Sequence, residues 1–273
     1  MARPGKAELA RQLRGHLELL AASGVRELPV KARTTKAAPV KAAAKLAPKP
    51  AAAPAQPRVA AGKAVIVPSV ALEELKGFGS PQARALEPVA EAVRQCAACS
   101  LCATRTQTVF GTGDPRSPLM IIGEAPGGDE DALGKPFVGR AGKLLTDIIE
   151  KGMKYRREEV YICNVLKCRP PGNRNPEPPE IEACRGFLYR QIQIIQPRVI
   201  LAVGLFPAQW LTDLKLPIGK LREQVYERDG RKVVCTYHPA YVLRNYTVEV
   251  RKKVHDDVLR VVQILGPGPL VKD

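Results

Sequence analysis

Five of the seven cysteines are spaced as ligands: Cys96, Cys99 and Cys102 form a CxxCxxC run, Cys168 closes a short apolar run, and Cys184 lies 16 residues further on. A CxxC pair plus two distant cysteines supplies the four thiolates taken by either a four-cysteine zinc site or a 4Fe-4S cluster, and spacing alone does not choose between them. Cys102 adds ambiguity, because CxxCxxC also resembles the start of a ferredoxin ligand run. Cys163 and Cys235 stand inside apolar runs and read as small buried residues. A second group could do chemistry: Glu124 before Ala-Pro-Gly, Asp129, Glu130, Asn164, and His238 before Pro239. With no Ser-His-Asp set and no GxxxxGK[ST] loop, acyl transfer and nucleotide hydrolysis lack their parts. An amide, carboxylates and a histidine suit recognition of a planar hydrogen-bonding heterocycle, with stabilisation of a leaving anion.

Four apolar runs position these residues: LMIIGEAP (119–126), VYICNVLKC (160–168), VILAVG (199–204) and KVVCTYHP (232–239). Each is too short for a helix, rich in Val and Ile, and ends at Gly, Pro, Asn or Cys, as buried parallel strands do. GRAGKLLTDIIEKG, PPEIEACRGFLYRQIQIIQ and FPAQWLTDL lie between them and read as helices. Strands alternating with helices predict a parallel sheet covered on both faces, with ligands bound beyond the carboxyl ends of the strands. The sequences there are GEAPG, NVLKCRPP, AVG and HPAY, so the polar residues converge on one edge.

The remainder of the chain differs in character. Its 43 Lys and Arg against 27 Asp and Glu give a net charge of +16, unevenly spread, with 13 basic and 3 acidic residues in positions 1–63. Such a balance suits a polyanionic partner without selecting nucleic acid over a membrane surface. Residues 1–29 include Leu9, Leu13, Leu17 and Leu20 on one stripe of an expected helix, which either packs on the body or docks a partner. Residues 30–69 are expected to be a disordered basic linker, since 17 of the 25 residues from Ala37 to Ala61 are Ala or Pro. Its basic residues either solvate a tether or attract DNA phosphates. Residues 70–273 are expected to form the ordered domain. The start MARPGKAELARQLRG lacks the apolar core of a secretory signal, and no stretch approaches the roughly 18 apolar residues of a membrane span. A cytoplasmic location is expected, where clustered cysteines bind metal more readily than they form disulfides.

Across residues 92–265 the chain resembles the iron-sulfur uracil-DNA glycosylases known as family 4. The resemblance rests on QCAACSLC with TRTQTVFGTGDP, GEAPGGDEDALGKPFVGRAGKLL, REEVYICNVLKCRPPGNRNPEPPEIEAC and HPAYVLRN, in that order. It implies a three-layer α/β/α sandwich on a four-stranded parallel sheet. It implies a 4Fe-4S cluster on Cys96, Cys99, Cys168 and Cys184, with Cys102 an additional thiol beside it, and a cluster that fixes loops and takes no redox part in the glycosylase step. The activity implied is excision of uracil flipped out of single- or double-stranded DNA, leaving an abasic site.

The resemblance also implies residue roles. Gly123 and Ala125 border the base, Phe137 stacks on it, Asn164 reads it, and Glu130 or its loop excludes thymine. His238 donates to the uracil carbonyl, and Glu124, Glu130 and Asn173 are candidates for positioning water or stabilising charge. Leu243 and Arg244 would wedge into the duplex, and Arg169 and Arg174 would face DNA. The expected protein is a monomer with no membrane association and a repair or replication partner reached through its N-terminal helix. Two rival readings are a glycosylase for other deaminated bases and a non-enzymatic iron-sulfur or zinc DNA-binding module. A family variant that forms a covalent adduct through an inserted loop is discounted, because no insert follows GEAPGGDEDALGK.

Overall fold

A computed structural model describes residues 79–270. The expected N-terminal helix, the basic linker and the first residues of the predicted domain lie outside the described residues.

Five strands form one sheet: β1 Leu119–Gly123, β2 Tyr161–Asn164, β3 Val199–Val203, β4 Val225–Arg228 and β5 Arg231–Thr236, in the order β2-β1-β3-β5-β4. The pairs β1/β2, β1/β3 and β3/β5 are parallel. These four strands are the four apolar runs of the sequence. Every residue of β1, β2 and β3 is buried, which is why their sequences lack polar alternation.

The expected sheet of four parallel strands is corrected by β4, which pairs antiparallel with β5 at the edge. Its residues are exposed or half-buried, so it carries no apolar run. The hairpin turns at Asp229 and Gly230, both with positive φ (49° and 77°), as an Asp-Gly turn between twisted strands requires.

Side chains alternate across the sheet. Met120 and Ile122 enter one apolar core with residues of β2, β3 and β5, while Leu119 and Ile121 enter the other. The first core is covered by α1 (Pro81–Arg94), α4 (Pro178–Ile195), α5 (Leu205–Thr212) and α6 (Ile218–Leu221), through Leu86, Leu188, Ile192, Leu211 and Leu221. The second is covered by α3 (Arg140–Asp147), a π turn at Ile148–Met153, α7 (Pro239–Arg244) and α8 (Val248–Leu265), through Leu145, Met153, Val242, Val254 and Val258. The result is a three-layer α/β/α sandwich. Between β1 and α3 lies the short α2 (Gly128–Leu133).

Two helix starts bear on the cysteines. In α1, Ser80 Oγ accepts from the Ala83 amide and Pro81 occupies the first turn, so the helix begins sharply and ends just before Cys96. In α4, Pro178 and Pro179 open the helix and the Glu180 carboxylate turns back to accept from the Glu177 amide at 2.8 Å. This start fixes the rotation of the helix and turns Cys184 inward, where it is buried.

Candidate active site

At the carboxyl ends of β1, β2 and β5 a cleft of about 360 Å³ opens, a volume suited to a single-ring or double-ring heterocycle. Glu124, Ala125, Glu130, Phe137, Asn164, Asn173, Arg174, His238 and Arg244, all singled out from the sequence, line it. So do Ala141, Pro170, Asn175 and Ala240, which are small or featureless and carry no chemical signal in the sequence. Gly123 is the β1 partner of Asn164 in the last register pair and lies beneath the cleft. A Cβ there would come within 2.3 Å of Asn164 Oδ1 and 2.4 Å of Phe137 Cζ, so only glycine leaves room for both side chains.

Asn164 is 1 % exposed, and its Oδ1 is buried with no hydrogen-bond partner among the described residues. A buried amide oxygen without a donor is costly and rare in a folded interior. The neighbouring ring, Phe137, adopts a left-handed backbone (φ 53°), which a non-glycine residue holds only when its surroundings impose it. Arg157 imposes it: Nη2 donates to the carbonyls of Pro136 at 2.8 Å and Phe137 at 2.9 Å, and Nη1 donates to Thr146 Oγ1 at 3.0 Å. Sequence reasoning missed Arg157. It opens the motif REEVYICNVLKC but received no role there, and only the fold brings it under the loop that carries Phe137.

His238 caps α7. Its Nδ1 accepts from the Ala240 amide at 3.1 Å, which leaves the proton of the neutral ring on Nε2. Burial, reinforced by the positive charge of Arg244, pushes its pKa down to about 4 despite an opposing contribution from Glu130, so the imidazole is neutral at pH 7. The ring stands 5.7 Å from that of Phe137, and Gly204 at the end of β3 lies against its Cβ.

The acidic residues separate by environment. Glu130 is engaged by the protein itself: Oε1 accepts from the amides of Val138 at 2.8 Å and Gly139 at 3.1 Å, and Oε2 from Gly127 at 3.1 Å. Both oxygens fasten the loop that walls the cleft. The Glu124 carboxylate has no hydrogen bond or ion pair among the described residues, and burial raises its pKa above the ordinary carboxylate value. Asp129 is near Gly139, where an added Cβ would meet its carboxylate.

In the polar loop after Cys168, Asn173 Oδ1 accepts from Arg169 Nε at 2.8 Å. Arg174 is bound to the protein, donating to both oxygens of buried Glu180 at 2.6 and 3.0 Å and to the Asn175 carbonyl at 3.0 Å. It ties the loop to the first turn of α4. Leu243 is 41 % exposed on α7 beside Arg244, and Tyr237 and Tyr241 stack on each other at 5.0 Å.

Cys168 and Cys184 are buried in one apolar cluster with Leu101 and Leu166, against which Cys99 packs. Cys96 and Cys99 interact electrostatically, and both act on Cys184. Arg105 Nη1 donates to Cys168 Sγ at 3.2 Å. Burial pushes the Cys168 thiol up to about 11 and raises those of Cys99 and Cys184. No three His, Cys, Asp or Glu side chains among the described residues form a site for a single metal ion. Cys102 lies on a 3₁₀ turn (Ser100–Ala103). Cys163 and Cys235 are fully buried within β2 and β5.

A parallel α/β sheet with a heterocycle-sized cleft at its carboxyl edge, holding an unpaired amide, a neutral histidine and a stacked ring, defines a nucleobase-recognising protein. The sequence profile of the uracil DNA glycosylase superfamily matches residues 110–261. The chain is 47 % identical over 176 residues to a type-4 uracil-DNA glycosylase of Thermotoga maritima, covering 63 % of this chain and 91 % of that protein. It is 43 % identical over 189 residues to a type-4 enzyme of Archaeoglobus fulgidus (66 % and 94 % covered) and 42 % identical over 196 residues to one of Saccharolobus solfataricus (69 % and 90 %). The chain belongs to the uracil-DNA glycosylase superfamily, in its type-4 group.

Proposed function

We propose that the chain excises uracil from DNA by hydrolysing its N-glycosidic bond, leaving an abasic site for base excision repair. The observation that carries this reading is the buried, unpartnered Oδ1 of Asn164 at the head of the cleft. Uracil presents a donor at N3 and an acceptor at O4. The Asn164 amide accepts from the first and donates to the second, whereas cytosine presents the reverse pattern. The nucleotide must leave the duplex to reach this group, at a cost of a few kcal/mol of unstacking. Phe137 receives the extruded ring, and Leu243 and Arg244 occupy the vacated space and hold the backbone.

As the glycosidic bond breaks, charge passes to the uracil ring and an oxocarbenium-like sugar develops. Neutral His238 directs its Nε2 proton to the uracil carbonyl, a donor whose interaction strengthens as the anion forms. Glu124, without an internal partner, is the carboxylate free to stabilise the sugar cation or orient water. Asn173 is a further candidate for holding that water, which adds to the sugar as uracil departs and takes up a proton. Glu130 shapes the wall near C5, where thymine carries its methyl group, through the loop it fastens. Arg169 faces the DNA backbone from the loop after Cys168.

Cys96, Cys99, Cys168 and Cys184 would hold a 4Fe-4S cluster. Cys99 packs on the apolar cluster that holds Cys168 and Cys184, Cys96 and Cys99 both act on Cys184, and such a cluster takes four thiolates. When bound, the cluster supplies a rigid tie among the segment after α1, the polar loop and α4. The protein would act as a cytoplasmic monomer. Among the described residues, no helix is long and apolar enough to cross a membrane.

Incubation with a uracil-containing oligonucleotide, followed by alkaline cleavage of abasic sites, tests the function. Strand breaks at uracil are expected, and their absence would contradict it. Breaks at hypoxanthine and not at uracil would favour the rival base preference.

A further inference from the structure

Four of the ten large apolar side chains exposed among the described residues, Tyr241, Leu243, Tyr246 and Val248, fall within eight positions, soon after the cleft-lining His238. Single exposed apolar residues need no explanation, whereas a group this dense beside a substrate cleft marks a contact surface. Tyr241 stacks on Tyr237, and Leu243 has its role in the reading above. Tyr246, 58 % exposed, has none. It lies between α7 and α8 and lines a second hollow, of about 250 Å³, with Leu144, Val242, Val254 and Val258 in its apolar lining. The hollow adjoins the cleft on the same two helices. Ala141 on α3 and Arg244 on α7 line the cleft, while Leu144 on α3 and Val242 on α7 line the hollow. At about 1.5 Å per residue, Ala141 and Leu144 are about 4.5 Å apart along the helix, comparable to the spacing of neighbouring nucleotides on a strand.

The surroundings carry charge suited to a polyanion. From Arg244 to Lys253 there are four basic residues and one acidic, Glu249, which Lys253 engages at 2.5 Å. Thr247 Oγ1 caps α8 by accepting from the Val250 amide at 3.2 Å, which sets Arg251 at the end of the first turn. Helical side chains lean toward the N-terminus, and the Arg251 guanidinium returns over the Tyr246 ring, 4.9 Å from its centroid, with no ion pair among the described residues. On the rim, Asp147 is already paired with Lys151 at 2.6 Å. An aromatic ring beside a cation is the combination that holds a base and its backbone in single-stranded nucleic acid. We propose that Tyr246 and Arg251 form a stacking platform for one unpaired base flanking the extruded uracil. This rests on the uracil reading above and names the DNA it favours: a base in a duplex must leave its partner to reach the platform, so the platform serves single strands. A protein partner would meet the same apolar surface, but continuity with the cleft and the basic flank favour the strand whose uracil fills the cleft.

The test follows uracil release by the purified full-length protein under single-turnover conditions. The oligonucleotide carries uracil at its centre and is offered single-stranded, as a duplex, and single-stranded with a baseless spacer just before or just after the uracil. For the wild type, one of the two spacers should raise the protein concentration giving half-maximal rate about tenfold (about 1.4 kcal/mol), as for the loss of one stacked base, with the maximal rate little changed. Tyr246→Ala should show the same weakening on the intact single strand, no further weakening with the spacer, and little change on the duplex. Tyr246→Phe, which keeps the ring, should restore the wild-type behaviour, and Arg251→Gln should give a smaller loss in the same direction. Unchanged half-saturation in Tyr246→Ala overturns the platform and leaves the surface to a protein partner. Equal weakening on every substrate, or a spacer that still costs the variant tenfold, overturns it as well. A wild type that releases no uracil from any substrate discards the functional reading and the platform with it, whereas one that releases uracil and ignores both spacers discards the platform alone.

Discussion

Asp257 and Asn164 are both buried polar groups associated with the sheet, and they are treated in opposite ways. Asp257, fully buried on α8, accepts from Arg222 Nε and Nη2 at 2.9 Å each, from Arg260 at 2.7 Å and from Thr236 Oγ1 at 2.8 Å. Both its oxygens are used, and the group locks α6 and α8 to the end of β5, two residues before His238. Asn164, at the end of β2, leaves Oδ1 with nothing to accept from. A folded interior that can satisfy a full carboxylate can satisfy an amide, and on the function proposed above the empty acceptor is where uracil supplies the missing donor. The paired centre holds the frame, and on the function proposed above the unpaired one meets the substrate.

This contrast yields predictions in descending size. Asp257→Ala leaves two arginines without their buried partner and should cost about 3–5 kcal/mol of stability. Thermal denaturation should show the loss, while the protein that remains folded still discriminates uracil. Selective loss of base discrimination in a stable Asp257→Ala protein would break the contrast. His238→Ala should slow uracil release on the order of 10² to 10³-fold in single-turnover assays, as for loss of one preorganised donor, with little change in melting temperature. Asn164→Asp should lower uracil release on the order of 10²-fold, because the donor to O4 is lost and a charge is buried. An unchanged preference for uracil would remove Asn164 from base reading. Arg157→Met, which frees the carbonyls of Pro136 and Phe137, should reduce kcat/KM about tenfold by loosening the stacking ring.

The smallest expected effect is an absence. With the pKa of His238 near 4, the rate should show no inflection from this group between pH 5 and 8. As pH falls below the ordinary value of about 6.5, the unfolded chain takes up this proton first. Stability from His238 is therefore present above that pH and is lost as pH falls through about 4. An acid limb from Glu124 should lie above the usual carboxylate range, because burial raises its pKa, and should vanish in Glu124→Gln.

The parts legible in sequence were those whose physics is local. Strands buried on both faces appear as runs of Val and Ile, so β1, β2, β3 and β5 were each expected where they occur. The edge strand β4 is half-exposed and lacks such a run, although Asp229-Gly230 is a hairpin signal in the sequence. Strand-end polar residues point to the cleft that they line. What the chain does with a polar residue after folding was not legible. Glu130 reads as a free carboxylate until its three backbone donors are in place, Arg174 as a free cation until it meets Glu180, and Arg157 gains significance only from the carbonyls of Pro136 and Phe137.

The most direct test uses one oligonucleotide carrying uracil, thymine or cytosine at the same position, with base release by the wild-type protein measured under single-turnover conditions. The empty acceptor of Asn164, the neutral donor of His238 and the fastened wall at Glu130 together predict release of uracil alone. Comparable release of thymine or cytosine, or none from uracil, would contradict the assignment of this cleft.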